Sequence, residues 1–226
     1  MRGYAFFIFS DCRPADLQTN ICVLLKIQAT LNNMLEILKN RFNLPDDQLA
    51  AFESFYHPLK VPAKTILLRE GEISKRAFII KEGCLRVWFN NDGTDTTFQF
   101  FFEGENVSSI ESFRKQTPSL FTIETIESCT LCFVYKEDMD KIFKEINNSS
   151  DSVEQFLDII LDRQLHYMKH CLSFIRDSPT TRYINLLSEN PHIVRRVPQH
   201  YIASYLGITP VSLSRIRNKL MKENKF

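Results

Sequence analysis

No apolar run in this 226-residue sequence approaches the roughly 20 residues needed to cross a bilayer. The YAFFIF stretch near the start is broken too soon, by Asp11 and Arg13, to act as a secretory signal core. The phosphate loop, the nucleophile elbow and the zincin helix are missing as well. Paired carboxylates such as Glu103 and Glu105 are ordinary turn residues, so no enzyme is expected. The six cysteines, Cys12, Cys22, Cys84, Cys129, Cys132 and Cys171, are scattered over a chain too large to need disulfide staples. Cys129 and Cys132 form a CxxC, but inside the strand-like run TLCFVY, where residues three apart face opposite sides. Free thiols, buried or half-buried, are therefore expected in place of a metal site. Nothing singles out a haem ligand among the five histidines, and no cofactor is expected.

Charge of either sign is nearly absent in sum, at +1, but not in distribution. Of 28 Lys and Arg, seven lie between Arg195 and Phe226, where Glu223 is the one acid, so that stretch carries +6 and the rest of the chain −5. A basic C-terminal end on an acidic body is the electrostatic footprint of a nucleic-acid binder, with the acidic body repelled from the phosphates.

Glycine is scarce too, and four of the six are spent as punctuation. Gly71, Gly83, Gly93 and Gly104 separate the runs TILL, AFII, LRVWF and TFQFFF, and Asn91, Asp92 and Gly93 make the clearest hairpin turn. FTIETIE and TLCFVY continue the pattern, which predicts an antiparallel sandwich or roll from about Val61. Phe98, Phe100 and Phe102 are expected on one face, packed in a core. Before it, MLEILKNRF and DDQLAAFESFY have helical periodicity, the second opened by Pro45, Asp46 and Asp47. Residues 1–33 are expected to be an extension, poorly ordered or untranslated, with Met34 the working start, although ICVLLKIQATL has the composition of a helix.

From Ser149 one long helix is expected. It carries two apolar seams: Val153, Leu157, Ile160, Tyr167, Cys171 and Phe174, interrupted by Gln164, and Leu161, Leu165, Met168, Leu172 and Ile175. One seam would cover the strand domain and the other would meet the same helix of a second subunit; the alternative is a helix buried inside a monomer. The last stretch, QHYIASYLGITPVSLSRIRNKL, reads as two helices about a tight turn. Ile202, Ala203 and Leu206 give the first an apolar face, Leu213, Ile216 and Leu220 the second; Gly207 ends one and Thr209-Pro210 begins the other. Val211, Ser214, Arg215 and Asn218 line the opposite, exposed stripe, suited to a major groove. Arg215 is the candidate base reader, and Arg217, Lys219 and Lys222 are candidates for phosphate. The plainer alternative is a helical hairpin with a solvated basic face.

This order of parts, with the segments LLREGE, EGCLRVWF, PSLFTIETIE and VPQHYIASYLGITPVSLSRIR, resembles the Crp/Fnr superfamily of bacterial transcription regulators, in their short Bacteroidetes-type form, over about Met34 to Phe226. The resemblance implies an α+β chain: the extension 1–33, an antiparallel, jelly-roll-like β-roll of the cyclic-nucleotide-binding type over 34–148, a dimerisation helix over 149–176 and a helix-turn-helix domain over 177–226. It also implies a cytoplasmic homodimer on double-stranded DNA, with RNA polymerase and an unidentified small-molecule effector as further partners. Its DNA-contacting positions correspond to Thr209, Pro210, Val211, Ser214, Arg215, Arg217, Asn218 and Lys219, of which Pro210, Val211 and Arg215 occupy the three principal base-reading places. Val211 replaces an acid common there. With six residues after Leu220, a β-wing is not expected.

The family's nucleotide pocket corresponds to Gly104, Glu105, Ser119 and Leu120. There the resemblance fails on chemistry, since the position of the phosphate-binding arginine falls on Ser119 or Leu120, while Arg114 and Lys115 stand at the wrong offset, on an expected loop. A buried cyclic phosphate needs a fixed cation. The expectation is a homodimeric, sequence-specific transcription regulator with an unidentified effector, or none; the alternative is a cyclic-nucleotide- or other small-molecule-binding signalling module whose C-terminal helices contact protein.

Overall fold

The computed structural model describes residues 46–146, 161, 164–165 and 167–223. Among them eight strands form two four-stranded antiparallel sheets. Strands β1 (His57–Val61), β8 (Cys129–Tyr135), β3 (Arg76–Glu82) and β6 (Asn106–Val107) make one sheet, in that order. Strands β2 (Ile66–Leu68), β7 (Thr122–Thr125), β4 (Leu85–Asn91) and β5 (Thr94–Phe101) make the other. Asp92 and Gly93 close the β4–β5 hairpin with φ of +50° and +84°, the pair of positive values that a two-residue turn between twisted strands requires. Between the sheets Phe78, Ile80, Leu85, Val107, Ile123 and Leu131 are at most 2% exposed, each worth about 1.5–3 kcal/mol of burial.

The helices are α1 (Asp46–Glu53), α2 (Ile110–Lys115), α3 (Lys136–Ile146), α4 (described at 161, 164–165 and 167–176), α5 (Pro179–Glu189), α6 (Pro191–Arg196), α7 (Gln199–Tyr205) and α8 (Pro210–Lys222). Helix α1 begins at the Asp46-Asp47 pair, as its sequence predicts, but stops at Glu53; Ser54 and Phe55 turn the chain into β1, the Ser54 hydroxyl donating to the Ala51 carbonyl. The expectations for residues 1–33, for MLEILKNRF and for the start of the long helix lie outside the described residues. No helix among the described residues is long and apolar enough to cross a membrane. Cys84, Cys129 and Cys132 are buried free thiols, whereas Cys171 is exposed.

Two sequence expectations fail locally. Phe98, Phe100 and Phe102 do not act as one face, because β5 shifts register between the pairs Val87↔Gln99 and Trp88↔Thr97, putting a bulge at Phe98. Phe98 packs against the inter-sheet core and stacks on Tyr167 of α4, while Phe100 and Phe102 join a second cluster. Arg114 and Lys115 belong to the last turn of α2 and not to a loop; both are exposed, and Lys115 is paired with Glu111 one turn back.

That second cluster extends across the boundary expected at residue 177. Cys84 and Phe100 of the roll are buried with Tyr183, Leu186, Ile193, Val197, Ile202, Leu206, Leu213 and Leu220 of the C-terminal helices. Polar groups follow the same seam. Arg86, on β4, is 3% exposed; its guanidinium donates to Glu124 of β7 at 2.8 Å, pairs with Asp95 of β5 at 3.2 Å and lies 4.0 Å from the Tyr201 ring centroid of α7. At the far end of the sheet Arg196 of α6 makes a two-pronged pair with Glu103, 2.7 Å on each prong, and also reaches Glu127.

These pairs generate two predictions. Arg86→Met strands the nearly buried Glu124 carboxylate and is expected to cost about 3–5 kcal/mol in urea unfolding, with Arg86→Met/Glu124→Leu recovering most of it; a double mutant no more stable than the single one contradicts the pairing. Arg196 holds the Glu103 carboxyl down at about 2 from its ordinary 4.5, against a smaller opposing effect of burial. A depressed carboxyl stabilises the fold above its unfolded value and loses that contribution as pH falls through the folded one. The melting-temperature gap between wild type and Glu103→Gln is therefore expected to be flat across neutral pH and to close between pH 4.5 and about 2.

Candidate nucleic-acid interface

Helices α7 and α8 are joined by a turn whose hydrogen bonds are fully assigned by its sequence. The Ile208 N–H reaches back to the Ala203 carbonyl at 3.0 Å and the Gly207 N–H to the Ser204 carbonyl at 2.9 Å, the paired closure that a left-handed residue after a helix allows. Gly207 supplies that residue, with φ +65°, and a Cβ there would come within 2.9 Å of the Phe174 ring. Thr209 then starts α8: its hydroxyl accepts from the Ser212 N–H at 3.2 Å, and Pro210 stands in the first turn, where no N–H is missed. Ala203, 0% exposed, lies where the two helices meet.

Burial divides α8 cleanly. Leu213 and Leu220 are buried and Ile216 is half-buried, whereas Val211, Ser214, Arg215, Asn218 and Lys219 are exposed, Val211 to 60%. Arg215, Asn218, Lys219, Lys222 and Glu223 line one open groove on that outer face. No acid stands between Pro210 and Lys222. Thr209 and Pro210 are exposed at the helix start, the Thr209 hydroxyl already engaged as the cap. Arg217 differs from its neighbours. It is half-buried and turns inward beside Tyr183, whose hydroxyl pKa is raised mainly by burial. The structure thus brings together Val211, Ser214, Arg215, Asn218 and Lys219 on one outer face and sets Arg217 apart.

The second set of sequence-derived residues is engaged piecemeal. Gly104 sits in the turn after β5, donating to the Ile80 carbonyl, and the Glu105 carboxylate accepts from the Phe102 N–H of that same turn at 2.7 Å. Ser119 is buried; its hydroxyl donates to the Phe121 carbonyl at 2.7 Å and stands 3.0 Å from the Ser109 hydroxyl. Leu120 is 73% exposed. Arg114 and Lys115, the cations of this segment, both stay in solvent. The Ser109 and Ser119 hydroxyls are thus spent on one another and on the backbone, and no buried positive charge stands among these residues.

Arg86, Arg196, Tyr201 and Ser204 were not singled out by sequence reasoning, although they fix how α7 meets the roll. The one legible signal was in the strands: Arg86 in LRVWF, Glu124 in TIET and Asp95 after the hairpin place opposite charges on adjacent strands, which is hard to reconcile with an idle solvent face.

Residues 58–146 match the family model of the cyclic nucleotide-binding domain. No curated protein matches the chain. Among solved structures, the c-di-GMP-responsive global regulator CLP of Xanthomonas campestris superposes with a TM-score of 0.63 at 16% identity, over 80% of this chain and 93% of that one. FixK2 of Bradyrhizobium japonicum gives 0.63 at 16% identity, over 75% and 86%. A protein of Eubacterium rectale described as a transcriptional regulator of the Crp/Fnr family gives 0.62 at 18% identity, over 82% and 87%. At such identities the likeness is one of fold: residues 58–146 match the cyclic nucleotide-binding domain family, and over 75–82% of its length the chain superposes on these structures.

Proposed function

We propose that this protein is a homodimeric, sequence-specific DNA-binding transcription regulator whose roll senses a signal or holds the dimer, with α7 and α8 as its helix-turn-helix. The observation that carries the proposal is the outer face of α8: a capped helix presenting Val211, Ser214, Arg215, Asn218 and Lys219 outward, with no acid before Glu223 at its end, at the basic end of an otherwise acidic chain. Arg215 donates in pairs to guanine O6 and N7, Ser214 and Asn218 are its adaptable polar neighbours, and Lys219 and Lys222 meet phosphates.

The dimer rests on α4. Leu161, Leu165, Met168, Leu172 and Ile175 follow each other at alternating steps of four and three and are 49–84% exposed, while Tyr167, His170 and Phe174 of the same helix pack on Phe98, Tyr205 and Arg182. A helix whose one face is occupied and whose heptad face is bare fits a second copy of itself. Two such copies would set their α8 helices in successive major grooves, about 34 Å apart. A small-molecule-binding module with protein-contacting C-terminal helices is the second reading, favoured by the cyclic nucleotide-binding domain match; that the cations nearest Gly104, Glu105, Ser119 and Leu120, Arg114 and Lys115, are exposed speaks against a cyclic phosphate held by those residues.

Selection of duplexes from a random library is expected to yield a two-fold-symmetric motif. Arg215→Ala should weaken binding to it by about 1–3 kcal/mol and relax the preference at one base of each half-site. Selection of no motif, or a binding constant that barely changes with salt, would exclude this reading in favour of the protein-contacting one, and an unchanged base preference in the variant would remove Arg215 as the base reader. Leu165→Glu/Leu172→Glu is expected to sediment as a monomer under conditions where the wild type is a dimer. Equal sedimentation of the two proteins would remove α4 as the dimer seam.

A further inference from the structure

Strand β5 is the outer strand of its sheet, hydrogen-bonded to β4 on one side, and an edge of this kind leaves a row of peptide donors and acceptors to be satisfied by something else. Here a side chain more than a hundred residues away does so. The Ser204 hydroxyl of α7 accepts from the Thr97 N–H at 2.8 Å and donates to the Asp95 carbonyl at 2.9 Å. Asp95 and Thr97 are two residues apart, so their peptide groups point to the same side of the strand, and one hydroxyl bridges them as a neighbouring strand would. Tyr201 and Tyr205, three residues before and one after Ser204, complete the contact face: Tyr201 covers the Arg86 guanidinium, and Tyr205 packs on Phe100 at 5.2 Å and stacks on His170 at 4.7 Å. Arg196, just before α7, is anchored at the other end of the sheet by Glu103 and Glu127. The exposed face of α8 takes no part in any of this.

We infer that the edge of β5 is a seat that fixes the bearing of the reading helix, with Ser204, Tyr201 and Arg196 as positioning residues that determine which half-site spacing the dimer accepts. This deepens the DNA-binding reading and rests on it. The geometry passes through few joints. Helix α7 is pinned to the roll, the turn to α8 is closed by its own hydrogen bonds, and Gly207 is pressed against Phe174, so α8 has little freedom left once α7 is seated. In a dimer, the angle and separation of two such helices are what the distance between half-sites measures. A reading domain on a loose hinge would accept several spacings; a seated one accepts its own.

The test uses the full chain and two readouts. The first is binding to the selected operator and to versions with the half-sites one or two base pairs closer or farther apart. The wild type is expected to discriminate between its own spacing and the others by about tenfold or more. Ser204→Ala and Arg196→Gln should flatten that profile to about threefold or less while leaving base preference within a half-site intact. Ser204→Thr, which keeps the hydroxyl, should restore it. A loss of stability alone would weaken all spacings alike, and a profile unchanged in both variants overturns the inference. The second readout needs no DNA: amide exchange at Thr97, expected to be protected in wild type and Ser204→Thr and released in Ser204→Ala. Equal exchange in all three proteins overturns the seat even if the chain binds DNA. If the wild type selects no duplex, the DNA-binding reading fails, and a released Thr97 amide still upholds the seat itself.

Discussion

A guanidinium 3% exposed is the constraint to which most of the interface answers. Arg86 projects from β4 on the side away from the inter-sheet core, and taking its charge out of water is tolerable only with fixed anions and a lid. Glu124 and Asp95 supply the anions from the strands on either side, and Tyr201 supplies the lid from α7. Each neighbour is useful only while the others stand. Without α7 the pair would face solvent and be worth little; without Glu124 the charge would be stranded beneath α7. The outer face of one sheet and the first helix of the C-terminal pair are thereby obliged to stay together, and the apolar contacts around Phe100 and Cys84 are made on the same occasion.

The parts written in local periodicity and turn chemistry were legible in the sequence. Glycine spacing gave the strands of the roll, Asp92-Gly93 the hairpin, and the Gly207, Thr209 and Pro210 offsets the turn before α8, because each depends on residues a few positions apart. The exposed seam of α4 and the outer stripe of α8 follow from the 3.6-residue repeat alone. What sequence reasoning missed was set by distance along the chain. Ser204 looks like any polar helix residue until Asp95 and Thr97 are beside it, and nothing near Arg196 in the sequence announces Glu103 or Glu127. The bulge at Phe98 broke a simple alternation for a similar reason: Tyr167 of α4 takes that ring, and local spacing could not foresee it.

The match to the cyclic nucleotide-binding domain and the chemistry of the segment after β5 pull in different directions, and they answer different questions. A fold match over 58–146 concerns how strands and helices are arranged; whether a phosphate is held there depends on a few side chains. Ser109 and Ser119 spend their hydroxyls within the segment, Glu105 closes its own turn, and the two cations of α2 are in water. The strand arrangement of the domain is present, and no cation of this segment is buried.

Strand β4 connects the two faces of the roll by the simplest geometry available. Leu85 and Val87 point into the inter-sheet core, and Arg86 between them points out, since successive residues of a strand face opposite ways. Whatever displaces the inner pair displaces Arg86 with it, and Arg86 cannot move without disturbing Glu124, Asp95 and the ring of Tyr201. From Tyr201 the path to α8 runs along one helix and one closed turn. A change in the interior of the roll would therefore reach the C-terminal helices across a single strand and a single side chain, without first passing through the bare seam of α4. Close-packed interfaces respond to such displacements by switching between discrete arrangements more readily than by bending, which suits β4 as the element that couples the roll to α7.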